Sequence, residues 1–200
     1  ESVENAREQV ASLIGASPLE ITFTSGATES NNLAIFGAAK GLAKKGDTRR
    51  HIITSKIEHK AILEACELLE EDGYKVTYLT PTKEGIITSE MVEDAIDEDT
   101  FLVSIAQANS VLGAISDVHA IASVCKKHQV FFHTDTAQSI GYLKMDYDHS
   151  DIDMVSLTAE KVCGPKGVGA LYVRRSSNVP LFAQIYGGGQ EKGLRGGTVP

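Results

Sequence analysis

Apolar residues along the chain keep two alternating rhythms, one helical and one of strand period. Val3, Ala6, Val10 and Ile14 recur at three- and four-residue steps, which predicts a helix over Glu1–Ile14. Glu20–Thr24 alternates as a strand, and Ser25-Gly26-Ala27-Thr28 follows it. Leu33, Phe36 and Leu42 then line one side of a helix predicted over Glu29–Lys45. The pattern continues with strands expected over His51–Ser55, Lys75–Leu79, Phe101–Ala106, Val130–Asp135 and Asp153–Leu157. Helices are expected over Lys60–Glu71, Ser89–Ile96 and Val118–His128. Gly164-Pro165-Lys166-Gly167 predicts a tight turn into a last strand over Val168–Arg174. The stretch Gly187–Thr198 is glycine-rich and reads as loop. Strands alternating with helices imply an α/β domain with a mostly parallel sheet. Ligands of such sheets gather at the carboxyl ends of the strands. That rule singles out Thr24–Thr28, Ser55–His59, Ala106–Asn109, Asp135–Gln138 and Leu157–Lys161.

Composition narrows the class. Two hundred residues with 42% hydrophobic and 23% charged side chains suffice for one globular domain with its own core. A net charge of −8 argues against a broad nucleic-acid surface but leaves room for a local anion pocket. Apolar runs such as Val130-Phe131-Phe132 are too short to span a bilayer, and no secretory leader pattern opens the chain. Cys66, Cys125 and Cys163 are odd in number and lack metal-ligand spacing, so neither a disulfide framework nor a zinc site is expected. A cytoplasmic protein is the expectation.

Four stretches carry chemistry. Ser25-Gly26-Ala27-Thr28 joins a strand to a helix, and the free N–H groups of a helix start suit a phosphate. Read alone, the same stretch is more simply a plain turn with Thr28 as N-cap. Asp135 closes an apolar strand, where a buried charge needs a partner. A protonated pyridine nitrogen would serve, and so would a role as helix cap. Lys161 follows a second apolar strand and precedes the Gly164–Gly167 turn, where an amine could capture an aldehyde cofactor. Most lysines are merely solvated, which suffices for Lys44, Lys45 or Lys127. His59 stands at a helix start, as an acid–base group, a stacking ring or a surface residue. An anion cradle, an Asp, a His and a Lys at strand ends together form the set that pyridoxal 5′-phosphate (PLP) chemistry requires.

The strings Thr24-Ser25-Gly26-Ala27-Thr28-Glu29-Ser30-Asn31-Asn32, Glu58-His59-Lys60, His133-Thr134-Asp135-Thr136-Ala137-Gln138-Ser139, Gly164–Tyr172 and Arg195-Gly196-Gly197-Thr198 resemble cysteine desulfurases of the NifS/IscS type. These belong to the class V aminotransferase group of fold-type-I PLP enzymes. The resemblance runs in order from near Glu1 to Pro200. It implies an α/β fold: the three-layer large domain of PLP-dependent transferases, with a mostly parallel mixed sheet, over residues 1–200. The smaller C-terminal domain would lie outside this chain. It further implies that Lys161 is the Schiff-base lysine, Asp135 the partner of the ring nitrogen and Gln138 a contact to the phenolic oxygen. His59 would stack on the ring and assist proton transfer, and Asn109 would lie near cofactor and substrate carboxylate. Ala27, Thr28 and Thr158 would hold the phosphate, and Glu160 occupies a cofactor-facing position. Thr198 would reach the phosphate of a neighbouring subunit, so a homodimer is expected. The implied activity converts L-cysteine to L-alanine and an enzyme persulfide, which supplies a sulfur-acceptor or iron–sulfur scaffold protein. The persulfide-forming cysteine of the family matches none of Cys66, Cys125 and Cys163.

Two departures from the family pattern stand out. Thr158-Ala159-Glu160-Lys161 carries glutamate where the family usually has histidine, and an ionised glutamate repels a phosphate. Asn109-Ser110-Val111-Leu112-Gly113 lacks the family's acidic residue. The resemblance therefore leaves two neighbouring expectations, another class V aminotransferase or selenocysteine lyase, and a catalytically weakened paralogue acting as a sulfur-assembly scaffold.

Overall fold

The computed structural model describes residues 1–199. Twelve main elements follow in chain order: α1 (Ser2–Leu13), β1 (Ile21–Thr24), α2 (Ala27–Lys44), β2 (His51–Ser55), α3 (Lys60–Glu71), β3 (Lys75–Leu79), α4 (Ser89–Ala95), β4 (Thr100–Ser104), α5 (Val118–Lys127), β5 (Phe131–Asp135), β6 (Met154–Thr158) and β7 (Gly169–Val173). The strands form one seven-stranded sheet in the order β1-β7-β6-β5-β4-β2-β3. Strands β3, β2, β4, β5 and β6 pair in parallel. Strand β7 is antiparallel to both β6 and β1, so β1 runs with the parallel set.

Alternation along the strands makes the sheet two-faced. Ile53, Val103, Val155 and Tyr172 point into a core packed with residues of α1, α4 and α5, including Ala11, Val92 and Ile121. Their neighbours Ile52, Leu102, Met154 and Leu171 point the other way, into a core shared with α2 and α3 through Leu33, Ala38, Ile62 and Cys66. The result is the expected three-layer α/β domain. Parallel strands covered on both faces have apolar residues at successive positions, which is why Phe101-Leu102-Val103 reads as an unbroken hydrophobic run.

Centrally, His133 is fully buried, with Nδ1 2.8 Å from Ser104 Oγ on β4 and Nε2 2.8 Å from Ser156 Oγ on β6. Burial pushes its pKa down to about 3, so the ring is a neutral strut across three strands. Because β7 alone is reversed, the carboxyl ends of β1, β2, β4, β5 and β6 all open at the same edge of the sheet. No helix among the described residues is long and apolar enough to cross a membrane.

Candidate functional site

Loops after β1, β2, β5 and β6, with the turn into β7, enclose a cleft of about 310 Å³, lined among others by Gly26, Thr28, Asn31, Asp135, Thr158 and Lys161. Its first wall is the start of α2. Helix α2 begins two residues earlier than the sequence suggests, at Ala27, and its N-cap is Gly26, not Thr28. Thr28 lies inside the first turn, so its role is not capping. No side chain caps this helix, which leaves its first N–H groups aimed at the cleft edge. Gly26 has φ +153°, and β7 lies against it: a Cβ on Gly169 would come within 2.5 Å of Gly26 Cα. Gly169 thus lets the strand touch the turn, and Gly26 supplies the backbone conformation of the turn itself. Glu29 in the first turn accepts from Ser25 N–H at 2.8 Å and pairs with Arg195 at 3.0 Å. Burial would raise its pKa, but the Arg195 and Ser25 hydrogen bonds outweigh burial and hold it below the usual carboxylate value.

The floor of the cleft is Asp135, at the end of β5 and 7% exposed. Asn31 Nδ2 donates to its Oδ2 at 2.8 Å, and Ala137 N–H donates to its Oδ1 at 2.9 Å. Burial still raises its pKa, against the pull of these donors and of His59. The floor is therefore a desolvated carboxyl group lacking a full positive partner. Asn31 Oδ1 is itself buried without a hydrogen bond.

His59 caps α3: its Nδ1 accepts from Ala61 N–H at 3.1 Å. A neutral ring in that arrangement carries its proton on Nε2. The preceding Glu58 is buried and ties two strand ends together. Ser55 Oγ donates to its Oε1 at 2.6 Å, and Ala106 N–H donates to its Oε2 at 3.0 Å. Burial, offset in part by these donors and reinforced by Asp135, pushes its pKa up to about 8. Asn109 Nδ2 donates to Ile57 O at 2.8 Å and fastens the same loop from β4's side.

The opposite wall comes from β6. Thr158 is buried at its end, and a short 3-10 turn over Glu160–Val162 carries the exposed Lys161 to the cleft. Glu160 is exposed and lines the same cleft. The turn ends at Cys163, exposed with φ +61°, while Cys66 and Cys125 are buried in α3 and α5.

Of the residues singled out by sequence, Ala27, Thr28, His59, Asp135, Gln138, Thr158, Glu160 and Lys161 line this one cleft. Asn109 lines a smaller adjoining hollow with His59 and Gln138. Thr198 is exposed and lies outside both. Sequence reasoning missed Asn31 and gave Glu58 no role of its own. The signal for Asn31 was available: it interrupts the apolar stripe Asn31, Ile35, Ala38, Leu42 of α2, where a polar side chain needs a buried partner. Glu58 carried no such signal, because a lone Glu in a loop reads as solvated.

The chain matches the aminotransferase class-V family over residues 1–196. It belongs to that family. A cysteine desulfurase IscS of Tolumonas auensis is 54% identical over all 200 residues, which cover 49% of that protein. A cysteine desulfurase IscS of Photobacterium profundum is 52% identical over 199 residues, 48% of its length. Among solved structures, SspA in complex with cysteine superposes with a TM-score of 0.94 at 50% identity, covering this whole chain and 56% of that one. A NifS-like protein gives 0.92 at 43% identity, covering 98% of this chain and 53% of the other. This class-V aminotransferase chain thus spans about half the length of the curated relatives it matches.

Proposed function

We propose that this class-V aminotransferase chain forms the cofactor-binding half of a PLP-dependent cysteine desulfurase. The observation that carries the reading is the convergence of Lys161, Asp135 and the uncapped start of α2 in one cleft. The donor set suits PLP. An anion end is offered by the first N–H groups of α2 with Thr28 and Thr158. At the floor, the buried Asp135 would gain a cationic partner from a protonated ring nitrogen. When bound, the cofactor supplies an electron sink for charge developing at the substrate Cα.

Each side chain then has its own task. Lys161 Nζ would hold the cofactor aldehyde and, once released, carry the proton at the substrate Cα. Asp135 would keep the ring nitrogen protonated, with Asn31 and Ala137 fixing its orientation. His59 would cover the ring with its Nε2–H toward the substrate, and Gln138 and Asn109 would bound the space beside it. The relatives named above make L-cysteine the favoured substrate, with its sulfur passed to an enzyme thiol and alanine released. Homodimerisation, with Thr198 reaching a neighbour's site, and delivery to a sulfur-acceptor or iron–sulfur scaffold protein belong to the same reading. Three unpaired cysteines fit a reducing cytoplasm.

Glu160 favours a second reading, a paralogue with weakened catalysis, because an exposed carboxylate lines the cleft that would take the phosphate. Alanine and sulfide release from L-cysteine by the full-length PLP-loaded protein, with a dithiol reductant present to reduce the persulfide to thiol and sulfide, decides between them. Stoichiometric release over many turnovers supports the desulfurase. PLP binding without turnover supports the scaffold, and transamination without sulfide supports another class-V activity.

A further inference from the structure

We propose that Glu58 is the positioning residue for His59, its carboxyl group tying the loop that carries the imidazole to the carboxyl ends of β2 and β4. This rests on the role assigned above to His59. Three side chains fix the loop. Asn109 Nδ2 holds Ile57 O at 2.8 Å. Glu58 then spans from Ser55 Oγ, at the end of β2, to Ala106 N–H, two residues beyond β4. His59 Nδ1 finally takes Ala61 N–H at the start of α3. The imidazole is exposed and would otherwise rotate freely, since only one ring nitrogen is engaged. Its direction is therefore set by the backbone beneath it, and that backbone is pinned through the Glu58 carboxyl.

The chemistry of the group fits this task. Glu58 is 8% exposed, and burial favours its neutral acid form. A neutral acid can bridge a hydroxyl and an N–H without adding a second charge beside Asp135. Glutamine has the same reach. Its Nε2 can donate to Ser55 Oγ while its Oε1 accepts from Ala106 N–H, so Glu58→Gln preserves both links and Glu58→Ala removes both.

The test uses the full-length protein with Glu58→Ala, Glu58→Gln, His59→Ala and Glu58→Ala/His59→Ala. Histidine-ring NMR reads His59 directly. Wild type and Glu58→Gln should show one tautomer, protonated on Nε2, and Glu58→Ala should show an averaged pair. In turnover, Glu58→Ala should lower kcat at least about tenfold, since misplacement by about 1 Å costs on the order of 10²-fold. Glu58→Gln should recover most of it, and the double variant should be no worse than His59→Ala alone. An unchanged His59 tautomer in Glu58→Ala, no recovery by Glu58→Gln, or a double variant weaker by the full product of the single effects would overturn the proposal. A wild-type protein that neither binds PLP nor turns over cysteine would instead sink the functional reading, while the NMR comparison still decides the role of Glu58.

Discussion

Asp135 at the floor of the cleft and Glu58 beside it are both buried acids, and their surroundings suit them to different charge states. Asp135 has two donors and a place for a cationic partner, whereas Glu58 has two neutral donors and a neighbouring carboxyl. Asp135→Asn keeps the shape but removes the charge that would hold a proton on a bound ring. It should lower kcat by at least about 10²-fold with the fold intact, measured by steady-state kinetics beside circular dichroism. For Glu58 the sign follows from linkage. Its pKa is raised from 4.5 to about 8, so the folded state holds a proton that the unfolded state has lost across that window. The folding contribution is complete below 4.5 and is lost as pH rises toward 8. Urea unfolding at a series of pH values should therefore find Glu58→Gln gaining on wild type as pH rises. The gain by about pH 7 should be on the order of 3 kcal/mol. Parallel pH curves for the two proteins would contradict a buried neutral Glu58.

Between elements, close backbone approaches do two separate jobs. Gly169 lets β7 touch the Gly26 turn, and Gly41 lets α2 lie on Pro180, whose carbonyl oxygen would be 1.5 Å from an added Cβ. Gly169→Ala and Gly41→Ala should each cost about 1–3 kcal/mol of stability. Only Gly169→Ala should also weaken PLP retention, because it displaces the start of α2. Equilibrium dialysis against PLP beside thermal melts separates the two effects. Most elements were legible in the sequence because their periodicity is undiluted: β2, α3 and β3 fall at the residues their apolar patterns predict. The start of α2 was not, because Ala27 and Thr28 read as turn residues until β7 is seen against Gly26. The reversal of β7 was also hidden. Its run Gly169–Val173 has the same apolar character as a parallel strand, and direction depends on pairing partners distant in sequence.

Across the whole molecule, the glycine-rich stretch near the end of the described residues reads as loop, yet it is anchored. Glu191, whose side chain is 3% exposed, takes a bidentate pair from Arg7 at 2.7 and 2.8 Å and a hydrogen bond from Phe23 N–H at 2.7 Å. The Arg7 guanidinium also lies 4.8 Å from the Phe23 ring centroid. One carboxylate thus joins α1, β1 and residues 190–193. Sequence alone could not show this, since Arg7 and Glu191 look like surface charges until the chain brings them together. Glu191→Ala removes the buried carboxylate partner of Arg7, which keeps Glu4 at 3.1 Å and Ile21 O at 3.0 Å, and should cost about 2–3 kcal/mol. Hydrogen exchange should rise across Tyr186–Gly197, and an unchanged exchange pattern would show the anchor to be elsewhere. The cleft itself was foreseen as a set of strand ends, and what the fold added was the buried support beneath it, Asn31 and Glu58. The central claim is that this cleft holds PLP through Lys161. Borohydride reduction of the PLP-loaded full-length protein, followed by peptide mass mapping, tests it directly. The account predicts one phosphopyridoxyl group on Lys161, absent in Lys161→Ala. A label on another lysine, or none on the wild-type protein, would contradict it.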